Sequence, residues 1–177
     1  MAPEPAYRMV GTLRVGIPLF NIFLNEADEQ SRRLGVELAE WSHEFSERPV
    51  GDTAIALAHS LAGNSATVGF TDLSHLARLL EHALMRSQAI GSGDALEASL
   101  FNDSAEEIRR LLHQFAAGFL KAPQPELLAR LSDHERVAAE RLHAASLRAE
   151  LSDSSADSKA AALDIVIEAP APVPMPL

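Results

Sequence analysis

Four times along the chain, apolar residues recur at helical spacing before the pattern thins. Phe20, Phe23, Ala27, Ser31, Leu34, Leu38, Trp41 and Phe45 follow one another at steps of three and four. That spacing puts them on one face of an amphipathic helix. Pro18 suits its first turn, and Pro49 and Gly51 punctuate its end. A second helix is predicted from Asp52, a good N-cap residue. Its stripe is Ala54, Leu57, Ala58, Leu61, Ser65 and Val68, and it closes at Gly69. A third opens after Thr71, carries Leu73, Leu76, Ala77, Leu80 and Leu84, and breaks at Ile90–Asp94. The fourth is predicted around Ser104, with Glu107 completing a capping box. It runs through Ile108, Leu111, Leu112, Phe115 and Phe119 to a stop at Lys121-Ala122-Pro123.

The flanks read differently. Residues 1–16 hold Pro3, Pro5, Gly11 and Gly16. They predict an irregular lead-in, with "TLRV" as a short extended piece. After Pro125 a fifth, highly charged segment keeps only a thin apolar face of Leu127, Leu131, Ala138 and Leu142, as a flanking helix would. From Ser152 the chain turns Ser/Asp/Ala-rich and then Pro-rich. Such a composition buries too little surface to offset ordering entropy, which predicts a linker and hence a piece of a longer protein. The expected organisation is a lead-in over 1–16, a helical domain over 17–150 with its core at 17–121, and a disordered linker over 151–177. Short connections give the expected fold class: all-α, an antiparallel up-down four-helix bundle with a flanking C-terminal helix.

Composition narrows the function. The 177 residues carry a net charge of −10, which speaks against a nucleic-acid binder. Without cysteine, disulfide frameworks and thiolate metal sites are excluded. No apolar run approaches the ~18 residues of a membrane span, and the N-terminus lacks the order of a signal peptide. The expectation is a cytoplasmic domain that binds neither nucleic acid nor membrane.

His59 is the residue to explain. At about 100° per residue it lies roughly 150° from the centre of the second helix's stripe, so its ring should face solvent. Ile55, Ala62, Gly63 and Ala66 share that face and are small or apolar. A glycine inside a helix costs about 0.5–1 kcal/mol relative to alanine. Accepting that cost beside an exposed histidine suggests that something must come close. A neutral imidazole nitrogen is a competent nucleophile, and phosphoryl transfer asks mainly for positioning.

These residues carry a resemblance. "HSLAGNSATVGF" followed by "LARLLEHAL" resembles a histidine phosphotransfer (HPt) domain of the chemotaxis-type hybrid kinases. The family pattern is His-x-Leu-Lys-Gly, then a second Gly six residues on. His59, Leu61, Gly63 and Gly69 match it, while Ala62 stands where the family has lysine. The stretch "IPLFNIFLNEADEQSRRL" is also similar to domains of the large kinase that controls type IV pili and twitching motility. The resemblance implies an antiparallel four-helix bundle with the phosphorylated histidine exposed on its second helix. It implies that Glu81 hydrogen-bonds the other ring nitrogen, fixing the tautomer. Arg78, one turn earlier, would support the phosphoryl group if it reaches His59.

The function so implied is a phosphorelay module. His59 takes a phosphoryl group from a histidine kinase catalytic domain or a receiver aspartate and passes it to a response-regulator receiver. Ile55, Ala62, Gly63 and Ala66 would form the docking surface. No phosphate-cradling Gly-rich loop is present, so the module needs no cofactor of its own and meets ATP only through the kinase domain. It is a carrier, monomeric as an isolated domain, within a parent that would be a kinase. The missing lysine motivates an alternative, a degenerate, non-phosphorylated docking or scaffold bundle. A metal site is the weakest option, because His75 and His82 are seven apart and metal ligands on a helix prefer three or four.

Overall fold

The computed structural model describes the backbone of residues 6–167 and side chains as far as 155. The lead-in is more regular than its composition suggests. Strands β1 (Tyr7–Val10) and β2 (Leu13–Gly16) pair antiparallel, Tyr7 opposite Gly16 and Val10 opposite Leu13. Gly11 in the turn has φ 58°, and a Cβ there would sit 2.8 Å from the Cβ of Leu120. Turn geometry and close packing therefore both require glycine. Val10 and Val15 point into the core, and Gly11 N–H donates to the Gly118 carbonyl. β2 overlaps the extended piece expected at "TLRV", while β1 was not expected.

Helix α1 (Ile17–Trp41) buries Phe20, Phe23, Ala27, Ser31, Leu34, Leu38 and Trp41, the predicted stripe. It ends before Phe45, which stays half-buried in the turns that follow. There the Trp41 indole donates to the Arg48 carbonyl at 2.9 Å and holds the turn against the helix. Helix α2 (Asp52–Thr67) starts where expected, but Gly51 is its N-cap. Asp52 is already helical, and its carboxylate accepts from Gln88 Nε2 at 2.6 Å. Helix α3 (Thr71–Ile90) follows after a three-residue connection.

The fourth helix departs most from expectation. α4 (Ala95–Ala116) begins nine residues before Ser104. Its N-cap is Asp94, whose carboxylate accepts from Glu97 N–H at 2.8 Å. Ser104 is buried mid-helix, its hydroxyl donating to the Leu100 carbonyl, a local bond that satisfies serine inside a helix. Glu107 does not cap; it pairs with Arg110 and accepts from Gln124 N–H at 2.7 Å. Phe119 lies beyond the helix and is 58% exposed.

Helices α1 and α3 each pack against both α2 and α4. Phe20, Phe23 and Phe70 converge on Phe115, with the Phe70 and Phe115 rings stacked at 4.8 Å. At the other end Trp41 packs on Phe101, and a Cβ on Gly93 would run into the Trp41 ring. The chain divides into two compact units after Ala139. Helix α5 (Pro125–Ile167) crosses that boundary. Within the first unit it buries Leu127, Leu131 and Ala138, and His134 bonds Glu97 at 2.7 Å. In the second unit the helix continues through Ile167, where a linker was predicted from residue 151; residues 168–177 of that predicted linker lie outside the described residues.

Candidate functional site

The site is built on the α2–α3 hairpin, and the sequence fixes its geometry through one glycine. Val68 caps α2 and Gly69 follows with φ 82°. Gly69 N–H bonds the Ala66 carbonyl and Phe70 N–H bonds the Ser65 carbonyl. This double bond is the Schellman stop, which needs a left-handed residue at the position Gly69 fills. The chain then reverses within three residues, and α3 returns along α2. Leu61 and Leu57 on one side and Leu73, Leu76 and Leu80 on the other lock the two helices together. Ser74 adds a bond from its hydroxyl to the Ala62 carbonyl at 2.8 Å.

This packing turns His59 outward. Its side chain is 78% exposed. Glu81, on α3, is only 13% exposed and its Oε2 lies 2.8 Å from His59 Nδ1. A carboxylate acceptor fixes the proton on Nδ1, which leaves Nε2 with a free lone pair. The two ring nitrogens point apart, so Nε2 faces away from α3.

The other expected residues divide. Gly63 is exposed, and a Cβ added there would meet nothing within 4 Å. Ala66 is exposed and Ile55 half-buried, both on the outer side of α2. Ala62 does not join them. At 3% exposure it is buried beside α3, so the exposed docking face loses that member. The helical wheel placed it by angle alone, without the width of the neighbouring helix. Arg78 is exposed one turn before Glu81, and the structure does not bring it onto His59. Among the described residues it makes no hydrogen bond or ion pair.

Sequence reasoning missed the α1 wall. An open groove beside the ring is lined by Asn25, Glu26, Glu29 and Gln30 of α1 with His59, Ser60, Gly63 and Asn64 of α2. Asn64 Nδ2 donates to Gln30 Oε1 across it at 3.1 Å. Glu29 pairs with Arg32 at 2.6 Å, and that hydrogen bond lowers the Glu29 carboxyl pKa below its ordinary value. The signal was present in the sequence. Asn25, Glu26 and Glu29 lie between the buried positions of α1 at the spacing of one polar face. Nothing in the pattern says which neighbour that face meets. The remaining histidines stay apart, and the described residues contain no group of three His, Asp or Glu side chains placed to hold a metal.

Comparison with known proteins bears on this arrangement. Over 74 residues, 42% of this chain, the sequence is 34% identical to the chemotaxis protein CheA of Bacillus subtilis strain 168. The match spans 11% of that protein, about a tenth of its length. No helix among the described residues is long and apolar enough to cross a membrane. Residues 18–102, from the start of α1 into α4, match the model of the Hpt domain.

Proposed function

We propose that His59 is the phosphoacceptor of a phosphorelay. One observation carries the reading: an outward imidazole whose Nδ1 is held by a nearly buried carboxylate at 2.8 Å. The Nε2 lone pair attacks the phosphorus of ATP bound to a histidine kinase catalytic domain, or of a receiver acyl phosphate. The N–P bond forms as the bond to ADP or to the aspartate breaks. Positive charge then develops on the ring, and the Glu81 carboxylate beside Nδ1–H stabilises it. Onward transfer to a response-regulator receiver reverses the same steps. Because the proton stays on Nδ1, the ring leaves as a neutral imidazole.

The domain supplies a nucleophile and its orientation; the partner supplies the phosphate and its charge stabilisation. Partners dock over Ile55, Gly63 and Ala66, where α2 is smooth. Arg78, exposed on α3, adds a cation once a phosphoryl group is present. Three-residue and four-residue connections after α2 and α3 suit the antiparallel up-down bundle of such domains. The resemblance of the α1 segment to the large kinase of type IV pilus control supports reading the parent as a cytoplasmic hybrid kinase.

The test is phosphorylation by radiolabelled ATP and a CheA-type catalytic domain, on wild type and on His59→Gln. Acid-labile, base-stable label on wild type alone is expected. Label on both proteins would move the acceptor elsewhere. No label on either, with a control Hpt domain labelled in parallel, would leave the docking-bundle reading that Ala62 motivates.

A further inference from the structure

The family pattern has a lysine where this chain has Ala62, and Ala62 is buried. No cation faces His59 from that position, yet phosphoryl oxygens at Nε2 need donors. The groove that His59 lines between α1 and α2 holds a set of neutral ones. Gln30 and Asn64 are joined by a single amide–amide hydrogen bond, and neither side chain makes another bond among the described residues. Such a bond consumes one carbonyl and one N–H. Whichever way the two amides are turned, one complete NH₂ group and a further N–H are left over. Both residues line the same open groove as His59 and Gly63. The acidic residues of that wall work against an anion there. Glu29 is held by Arg32, which leaves Glu26 as the carboxylate the donors must outweigh.

We propose that the Gln30–Asn64 pair contacts the phosphoryl oxygens at His59 and takes the place of the absent lysine. The inference rests on His59 being the phosphoacceptor. The pair spans two helices, so the bond between the amides also fixes where the free N–H groups point. Preoriented donors of this kind need no reorganisation as charge arrives on the transferred group.

The experiment uses phosphoramidate, a small donor that requires no docking surface. His59 Nε2 forms the new N–P bond, the N–P bond of the donor breaks, and ammonia leaves. Initial rates of phosphohistidine formation are measured on the full chain, with circular dichroism melts of each variant. The double variant Gln30→Met/Asn64→Leu should react at least about tenfold more slowly, the effect of one lost hydrogen bond to a charged group. Gln30→Lys in the Asn64→Leu background should restore the rate, because a cation then reaches the same oxygens. A role in packing alone predicts no rescue by lysine, so failure of the rescue overturns the proposal. A double variant as fast as wild type overturns it too, and leaves the reading of His59 intact. No reaction of the wild type, with a control Hpt domain reacting, removes both.

Discussion

At the scale of the residue, the site separates two jobs that chemistry requires of one ring. Glu81 attends to Nδ1 from a nearly buried position, and solvent has Nε2. Because His59 is exposed, removing its partner should leave the fold alone. Glu81→Ala is therefore expected to keep the wild-type melting curve and to slow phosphorylation of His59 about tenfold or more, the order of a lost hydrogen bond to a charged group. Glu81→Gln, which still offers an oxygen to Nδ1–H, should recover part of the rate. Gly63 poses the complementary case. The free protein has room for a methyl group there. Gly63→Ala should raise stability by about 0.5–1 kcal/mol, read from denaturant unfolding. The same variant should slow phosphorylation by a protein donor while leaving the phosphoramidate rate unchanged. Slowing with both donors would mean that the glycine serves the ring and not the partner's approach.

At the scale of the element, the legible parts were those set by local pattern. The main stripes of α1, α2 and α3 were read from periodicity, with Ala62 put on the wrong face of α2 and Phe45 carried past the end of α1, and Gly69 was read from the need to end α2. The start of α4 was misread for a physical reason. "SLFNDSAEE" holds Ser, Asn and Asp inside a helix, and these residues ordinarily favour caps. Here Ser104 and Asn102 turn their side chains back onto the Leu100 and Ala98 carbonyls and let the helix run through. Glu107 was named for the wrong partner. It joins α4 to the segment before α5, through Arg110 and the Gln124 backbone. The hydrogen bond from Arg110 holds the Glu107 carboxyl below its ordinary 4.5. A depressed carboxyl stabilises the fold above the unfolded value, and that contribution fades as pH falls through the folded one. Glu107→Gln should thus cost about 1–3 kcal/mol at neutral pH. The difference from wild type should shrink once pH drops below about 4.5, as urea titrations at several pH values would register. The groove wall of α1 was invisible for another reason: periodicity assigns a polar face but does not choose the helix opposite it.

At the scale of the whole molecule, the boundary at Ala139 leaves His59, Glu81 and the groove within the first unit. A chain ending after Ala139 should unfold cooperatively near the wild-type midpoint and keep His59 reactive. Ending it after Ala122 removes Leu127, Leu131 and Ala138 from the core. Each buried leucine contributes about 1.5–3 kcal/mol, so that shorter chain should melt markedly lower. Thermal unfolding of the two truncations separates these outcomes. If His59 is the phosphoacceptor proposed above, its position has a consequence for traffic. His59 stands on the outer side of one helix beside an open groove, and a globular partner seated over it would block a second one. Donor and acceptor must then take turns, a ping-pong order in which each blocks the other. Raising the acceptor concentration should at first speed net flow and then throttle it, as unloaded carriers become trapped beneath acceptors. The throughput of such a relay is governed by how quickly its visitors depart.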